Sequence, residues 1–137
     1  MLLEPFYEEI NHKILTSEIA GFDETRYSVD EKNGWCWIAK SNSEAQYVLD
    51  YSRGRKVIKK HWKKFRRVVI SDRWRPYVTV FSHNSRQRCT AHLKRESKDV
   101  SLKSKNNLAK ILYDEFSEIL FYARIFCKLN HKKIQQV

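Results

Sequence analysis

The sequence predicts an α/β fold in which a helix covers at least one face of a β-sheet. Three observations lead to this class. Apolar and aromatic segments with strand character recur through the first half of the chain, a segment with helical spacing separates the third from the fourth, and a long amphipathic helix follows later. With 137 residues, the chain is long enough for one domain with a single core.

The N-terminal part is predicted to form a helix and then a β-hairpin. In "EPFYEEINHKILTSEI", Phe6, Ile10 and Ile14 lie at helical spacing, so we expect a short amphipathic helix. Strands are predicted in "IAGFDETRYSVD" and in "WCWIAKS". Between them, "EKNG" is expected to be the hairpin turn, with Asn33-Gly34 as its strongest signal.

The middle of the chain alternates between strands and a basic helix. A third strand is predicted in "AQYVLDYS", and Arg53-Gly54 ends it. A fourth is predicted in "RVVIS", and "QRCTAH" suggests a short fifth. The helix between the third and fourth strands, "RKVIKKHWKKF", has an apolar stripe formed by Val57, Ile58, Trp62 and Phe65.

The C-terminal part is predicted to be mostly helical. The chain becomes polar from Leu93, and "NNLAKILYDEFSEILFYARIFCKL" then has the pattern of a long helix. Its apolar side consists of Leu108, Ile111, Leu112, Phe116, Ile119, Leu120 and Ala123.

Positive charge is concentrated in one block of the sequence. The chain has 27 Lys or Arg against 16 Asp or Glu, and residues 53 to 105 hold 18 of these cations but only three of the acids. Such an excess indicates a polyanionic partner, most often nucleic acid, with a membrane surface as the lesser alternative. The lysines of the basic helix have almost no acidic neighbours one turn away, which favours an anionic partner over a merely solvated face.

We therefore predict that DNA phosphates are bound by residues of this block. The predicted contacts are Arg53, Arg55, Lys56, Lys59, Lys60, Lys63, Lys64, Arg66, Arg67, Arg88, Lys94 and Arg95.

Other compositional features point to the cytoplasm. No run of 18 or more apolar residues is present, so no membrane span and no membrane partner are predicted. The N-terminal segment carries acids early and is not typical of a signal peptide. Three widely spaced cysteines, Cys36, Cys89 and Cys127, do not suggest a disulfide framework, and a reducing compartment is the simplest expectation.

Two acids interrupt or end apolar strands: Asp23 in "IAGFDET" and Asp72 in "VVISDRW". If the first and fourth strands are neighbours, the two carboxylates converge at one place on the sheet. Paired carboxylate oxygens suit Mg²⁺ or Mn²⁺, which can promote phosphoryl transfer. The alternative for Asp72 is a turn former, a helix N-cap or a surface partner of Arg73. Glu24 is expected to face away from the site, because neighbouring residues of a strand point to opposite faces.

Two further motifs have simpler explanations. Cys89-x-x-His92 has half of a zinc spacing, but no second pair lies nearby, so packing is the expected role. Trp35 and Trp37 lie on one face of a strand, where core packing is favoured and a base-stacking platform is the alternative.

From about Ile14 to Glu96, the chain resembles transposases of the insertion-sequence 66 family. The order and spacing of the matching residues are far more specific than any one of them. These are Asp23-Glu24-Thr25, Gly34-Trp35 with Trp37, Tyr47, Arg53-Gly54, Ser71-Asp72, Tyr77, Gln87-Arg88-Cys89, Ala91-His92-Leu93 and Arg95.

The resemblance implies a ribonuclease H-like mixed sheet (hairpin, third strand, helix, fourth strand) followed by a helical insertion. It also implies a DDE-type active site, in which two Asp and one Glu hold two divalent ions, Mg²⁺ or Mn²⁺. Asp23 and Asp72 match the first two acids and are the expected catalytic and metal-binding residues. The implied reaction is cleavage at transposon ends and strand transfer into target DNA, in a prokaryotic cytoplasm and in association with the nucleoid.

Three regions are expected on this basis. Residues 1–18 would be an N-terminal helix, the tail of an upstream region; residues 19–92 a partial ribonuclease H-like catalytic core; and residues 93–137 the start of the helical insertion. A homo-oligomer of the full-length protein is left open.

The sequence departs from the family pattern at two points. Arg73 follows the second Asp where the family often has Gly, and no convincing third acid is present. Glu115 and Glu118 fit better as solvated residues of an insertion helix than as ligands. We therefore expect a central fragment of a transposase, inactive alone, from a truncated or frame-shifted gene. The alternatives are a non-catalytic DNA-binding protein made from such a fragment and a degenerate product without function.

Overall fold

The computed structural model describes the backbone of residues 3–134 and the side chains of residues 3–128. The chain forms two compact units, and the boundary between them lies between Cys89 and Thr90. The elements of the first unit are α1 (Glu4–Thr16), β1 (Ile19–Val29), β2 (Lys32–Lys40), β3 (Ala45–Asp50), α2 (Arg55–Trp62), β4 (Val68–Ser71), α3 (Arg75–Val80) and β5 (Arg86–Arg88). The second unit contains α4 (Thr90–Lys103) and α5 (Asn107–Ile134).

The first unit is built on a five-stranded mixed sheet with the order β3-β2-β1-β4-β5. The first three strands are antiparallel to one another, and β4 and β5 run parallel to β1. A hairpin, a third strand, a helix and a fourth strand follow each other as predicted. The expected ribonuclease H-like mixed sheet is therefore confirmed, and helices follow it in the chain.

The hydrophobic core lies on one face of this sheet. Ala20, Phe22 and Trp37 point into it from β1 and β2. The ring of Phe22 lies 5.6 Å from those of Trp62 and Phe65 and 4.8 Å from that of Phe81. All four residues of the predicted apolar stripe are buried, although α2 itself ends at Trp62.

The hairpin turn was predicted in the wrong place. Asp30 and Glu31 form it, with φ values of 48° and 61°, and two such residues give the twist that joins antiparallel strands. Gly34 instead lies within β2 opposite Tyr27. A Cβ atom at Gly34 would lie 2.5 Å from Cζ of Tyr27, so the glycine makes room for the tyrosine ring.

α3 was not predicted, and α4 was expected only as part of a helical insertion from residue 93, without bounds of its own. α3 begins with Pro76 in its first turn, where proline is well tolerated. α4 begins at Thr90, inside the segment expected to form a short strand, and only Arg86–Arg88 of that region is a strand. The sequence of α4 has no clear apolar periodicity, and accordingly none of its residues is buried.

The long C-terminal helix is confirmed as α5, but its predicted apolar side is not a buried face. Leu108 is 56% exposed, Leu112 61% and Ile119 63%. Within residues 90–128, no side chain is fully buried. In the part of the chain that the structure describes, no helix combines the length and the apolar character needed to cross a membrane.

Candidate active site at the junction of β1 and β4

The pairing of β1 with β4 brings Asp23 and Asp72 to the same level of the sheet. Gly21 pairs with Ile70 in the parallel ladder, and each aspartate lies two residues further along its chain. Because side chains alternate along a strand, Asp23 lies on the face of β1 opposite the core, and Asp72 directly follows the last residue of β4 beside it. The expectation that the first and fourth strands are neighbours is confirmed.

The two aspartates differ in their local surroundings. Asp23 lies inside β1 and not at its end, because β1 continues to Val29 to pair with β2. Asp72 directly follows β4, and its Oδ1 accepts a hydrogen bond of 2.8 Å from the backbone N–H of Trp74. Asp72 thus has the turn-forming role that was the simpler alternative, and this role uses only one of its oxygens. Oδ1 of Asp23 accepts a 2.9 Å hydrogen bond from the N–H of Glu24.

Glu24 points to the core face, and its side chain is only 1% exposed. Its Oε1 accepts two hydrogen bonds from Arg53, of 3.0 Å from Nε and 2.8 Å from Nη2. Its Oε2 accepts a hydrogen bond of 2.5 Å from the hydroxyl group of Tyr77. Both carboxylate oxygens are therefore satisfied by side chains that lie far away in sequence.

Burial dominates the electrostatics of this cluster. It raises the pKa of Glu24, and the hydrogen bonds from Tyr77 and Arg53 oppose the rise without cancelling it. Burial, reinforced by the charge of Glu24, raises the pKa of Tyr77 far above its usual value, so the phenol remains a proton donor. The charges of Asp23 and Asp72 make smaller contributions to this rise.

Arg53 connects the buried carboxylate to the segment after Asp72. Its guanidinium carbon lies 4.4 Å from the ring centre of Trp35 and 4.1 Å from that of Trp74. A cation between two indoles is held by both ring faces. The contacts therefore run from Glu24 through Arg53 and Trp74 to Asp72.

Sequence reasoning did not identify this network. Arg53 was predicted to bind DNA, Glu24 was set aside, and Trp74 was not singled out. The available signal was the joint presence of Glu24, Arg53 and Tyr77 among the family-matching residues. Nothing in the spacing shows that Glu24 and Arg53, 29 positions apart, form a pair.

The predicted DNA contacts are spread over several surfaces. Lys56, Lys59, Lys60 and Lys63 line one open groove together with residues of α3. Arg88 lines a second cavity, of about 370 Å³, which Asp72 also borders. Arg55 lines a third, next to Trp74. Lys94 and Arg95 lie on α4 in the second unit.

The other three predicted DNA contacts lie in the segment between α2 and β4. Arg66 donates hydrogen bonds to the backbone carbonyls of Lys63 and Phe65, and Nη1 of Arg67 lies 3.7 Å from Glu18. Lys64 is exposed beside them.

No group of three or more His, Cys, Asp or Glu side chains is arranged to hold a metal ion within the described residues. Glu115 and Glu118 are exposed residues of α5. Cys36 and Cys89 are partly buried and Cys127 is exposed, and all three are free cysteines.

The sheet has a ribonuclease H-like strand order, and two aspartates lie where β1 and β4 are neighbours. The model of the Transposase IS66 family matches residues 1–136, and the chain belongs to this family. The resemblance stated from the sequence motifs is confirmed.

Among solved structures, the catalytic core domain of the HTLV-2 integrase, in complex with magnesium and in a trimeric form, is similar to this chain. The two chains have 10% sequence identity. The match covers 73% of this chain and 82% of the integrase chain, with a TM-score of 0.40. None of the curated proteins matches the chain.

Proposed function

We propose that the chain carries part of a DDE-type transposase site for metal-dependent phosphoryl transfer, in which DNA ends are cleaved and joined to target DNA. Asp23 and Asp72 are the proposed metal ligands. The observation that carries this proposal is the backbone register of two neighbouring strands: Asp23 and Asp72 each lie two residues beyond the paired Gly21 and Ile70. Membership of a transposase family supports it.

The two aspartates have suitable chemistry for Mg²⁺ or Mn²⁺. Mg²⁺ is commonly bound by one or two carboxylates, with water and substrate phosphates completing its shell. Such an ion, when bound, stabilises the attacking and leaving oxygens of an in-line displacement. Asp23 is fixed by the β-ladder and Asp72 by its hydrogen bond to Trp74, so both carboxylates are held in place before substrate arrives.

The basic residues are proposed to hold the DNA backbone beside these carboxylates. The lysine groove formed by Lys56, Lys59, Lys60 and Lys63 concentrates positive charge along α2 and α3. Arg53 is left out of this set, because its guanidinium is bound to Glu24 and covered by two indoles.

A second candidate function is DNA binding without catalysis. It is favoured by the lack of a three-acid metal group among the described residues. The two candidates share the lysine groove and differ at the aspartates, so the following two experiments separate them.

The metal site is tested by Mn²⁺ titration of the whole chain in the presence of a DNA duplex, monitored by electron paramagnetic resonance. Asp23→Asn and Asp72→Asn should each weaken binding at least about tenfold, because each removes an ionised oxygen ligand. Asp50→Asn is a matched control, since Oδ1 of Asp50 accepts the Ser52 N–H at 2.7 Å in the same local geometry as Asp72. Equal Mn²⁺ affinity in all four proteins would reject the metal site and leave the second candidate.

The lysine groove is tested by measuring duplex affinity at several salt concentrations. Replacing Lys56, Lys59, Lys60 and Lys63 by Gln should weaken binding to all sequences alike, and each lost phosphate contact should flatten the slope of log affinity against log salt by about 0.9. A control with the same net charge replaces the exposed Lys32, Lys40, Lys103 and Lys110. If both variants lose affinity equally, only net charge matters and the groove is not the DNA site.

A further inference from the structure

An open groove next to Trp74 has the lining expected of a nucleotide site. Its lining residues are Arg55, Trp74, Arg75, Pro76 and Thr79, and its volume is about 510 Å³. This volume falls in the range of small-molecule sites. The lining combines one aromatic ring with two guanidinium groups, which provide a stacking surface for a base and charges for phosphates.

The indole of Trp74 is held in place before any ligand arrives. Arg53 lies 4.1 Å from the ring centre, and Glu24 fixes Arg53 through two hydrogen bonds. Trp74 nevertheless remains 37% exposed, so part of its surface is left for a ligand. A rigid ring loses little conformational freedom when a base stacks on it.

Of the four tryptophans, Trp74 is the one that combines an exposed ring with neighbouring arginines in a groove, as base stacking requires. Trp37 and Trp62 are fully buried, and Trp35 packs against the core. The alternative role considered for Trp35 and Trp37, a stacking platform, is therefore not available to Trp37, and Trp35 is already in contact with Arg53. The backbone N–H of Trp74 is bonded to Asp72, which ties the ring to the proposed metal site.

We propose that Trp74 is the stacking platform for an unpaired nucleobase of the DNA strand bound at Asp23 and Asp72, with Arg55 and Arg75 holding its flanking phosphates. This inference rests on the proposed function, because DNA at the aspartates is what brings a base to the groove. It adds that the bound strand has at least one base out of its pair next to the reacting phosphate. A paired base has both faces covered by its neighbours in the duplex and cannot stack on the ring.

The test uses two DNA probes with identical charge. One is a short duplex with a single-stranded tail of thymidines, and the other carries the same tail without bases, as abasic sites. The whole chain should bind the first probe about 5- to 150-fold more tightly, which is the equivalent of 1–3 kcal/mol for one stacked base. The two salt dependences should be equal, because the tails carry the same phosphates.

Protein variants locate the effect. Trp74→Ala should abolish the preference for the base-bearing tail, and Trp74→Phe should retain most of it, because phenylalanine also offers a flat ring. Tyr51→Ala removes another aromatic residue, 71% exposed at the end of β3, and should leave the preference unchanged.

The outcomes distinguish this inference from the proposed function. If the unmodified chain binds both tails tightly and equally, the stacking site is rejected while DNA binding stands. The same follows if Trp74→Ala keeps the full preference. If neither probe binds, the proposed function itself is rejected, together with the inference.

Discussion

Asp23 and Glu24 are neighbours in the sequence, but their side chains lie on opposite faces of β1. Asp23 is exposed on the open face of β1, whereas the Glu24 side chain is 1% exposed on the core face. Asp23 lies level with another carboxylate, and Glu24 is bound by a guanidinium and a phenol. One step along a strand therefore separates an exposed carboxylate from a buried one that joins distant parts of the fold.

The contacts of Glu24 show how a buried residue of a strand can stabilise the surroundings of a candidate site. The hydrogen bonds of Glu24 hold Arg53 and Tyr77, and Arg53 contacts the ring of Trp74, which lies two residues after Asp72. The buried carboxylate is thus connected to Asp72 through Arg53 and Trp74. This division of roles can be tested by changing each carboxylate alone.

The largest expected effect is on stability. Glu24→Ala should lower the free energy of unfolding by about 2–3 kcal/mol, because it leaves Arg53 without its partner. This lies below the range for a fully buried pair, since the side chain of Arg53 is 39% exposed and can be hydrated. Urea unfolding followed by tryptophan fluorescence measures this, and all four tryptophans lie in the first unit.

The matched control for this change is Asp23→Asn, one residue away. It should alter the free energy of unfolding by less than about 0.5 kcal/mol, because the amide oxygen can still accept the N–H of Glu24. If the two variants are equally stable, the two carboxylates do not have separate roles.

A smaller effect is expected at Tyr77. Tyr77→Phe removes only the hydroxyl group that donates to Oε2 of Glu24 and should lower the free energy of unfolding by about 1.5–2 kcal/mol. Tyr51→Phe, at a tyrosine that is 71% exposed, should have almost no effect in the same urea titration. Equal stability of the Tyr77→Phe variant and the parent would mean that the phenol does not support the buried carboxylate.

The smallest effect concerns the pair Asp23 and Asp72. Asp23 and Asp72 should repel each other when no cation is bound, so a double-mutant cycle with Asn at both positions should give an unfavourable coupling of about 0.5 kcal/mol at low salt. The coupling should disappear at high salt, because exposed charges are screened. Additive free energies of unfolding at low salt would show that the two carboxylates do not meet.

Local pattern predicted much of the first unit. The stripe Val57, Ile58, Trp62 and Phe65 was predicted from helical spacing and is buried, and alternation along β1 separated Asp23 from Glu24. The hairpin turn was misplaced because Asn33-Gly34 is a stronger local signal than Asp30-Glu31, while the close approach of Tyr27 to Gly34 is a tertiary contact.

The buried network could not be predicted in the same way. Tyr77 lies 53 residues from Glu24, and Arg53 lies 29 residues from it. Their contacts exist only after β1, α2 and α3 have packed. Periodicity indicates which face of a strand or helix a residue occupies, but not which distant residue forms a hydrogen bond with it. For this reason Arg53 was predicted only as a DNA contact, and its pairing with Glu24 was not foreseen.

The edge strand β5 has a consequence for self-association. It has only three residues, Arg86, Gln87 and Arg88, and all three are exposed. An outer strand with open hydrogen-bonding groups invites another chain to extend the sheet. Here such an extension would gain few ladder bonds, and a second copy pairing in the same way would bring arginines together. This sheet edge is therefore protected from aggregation by its shortness and its charge.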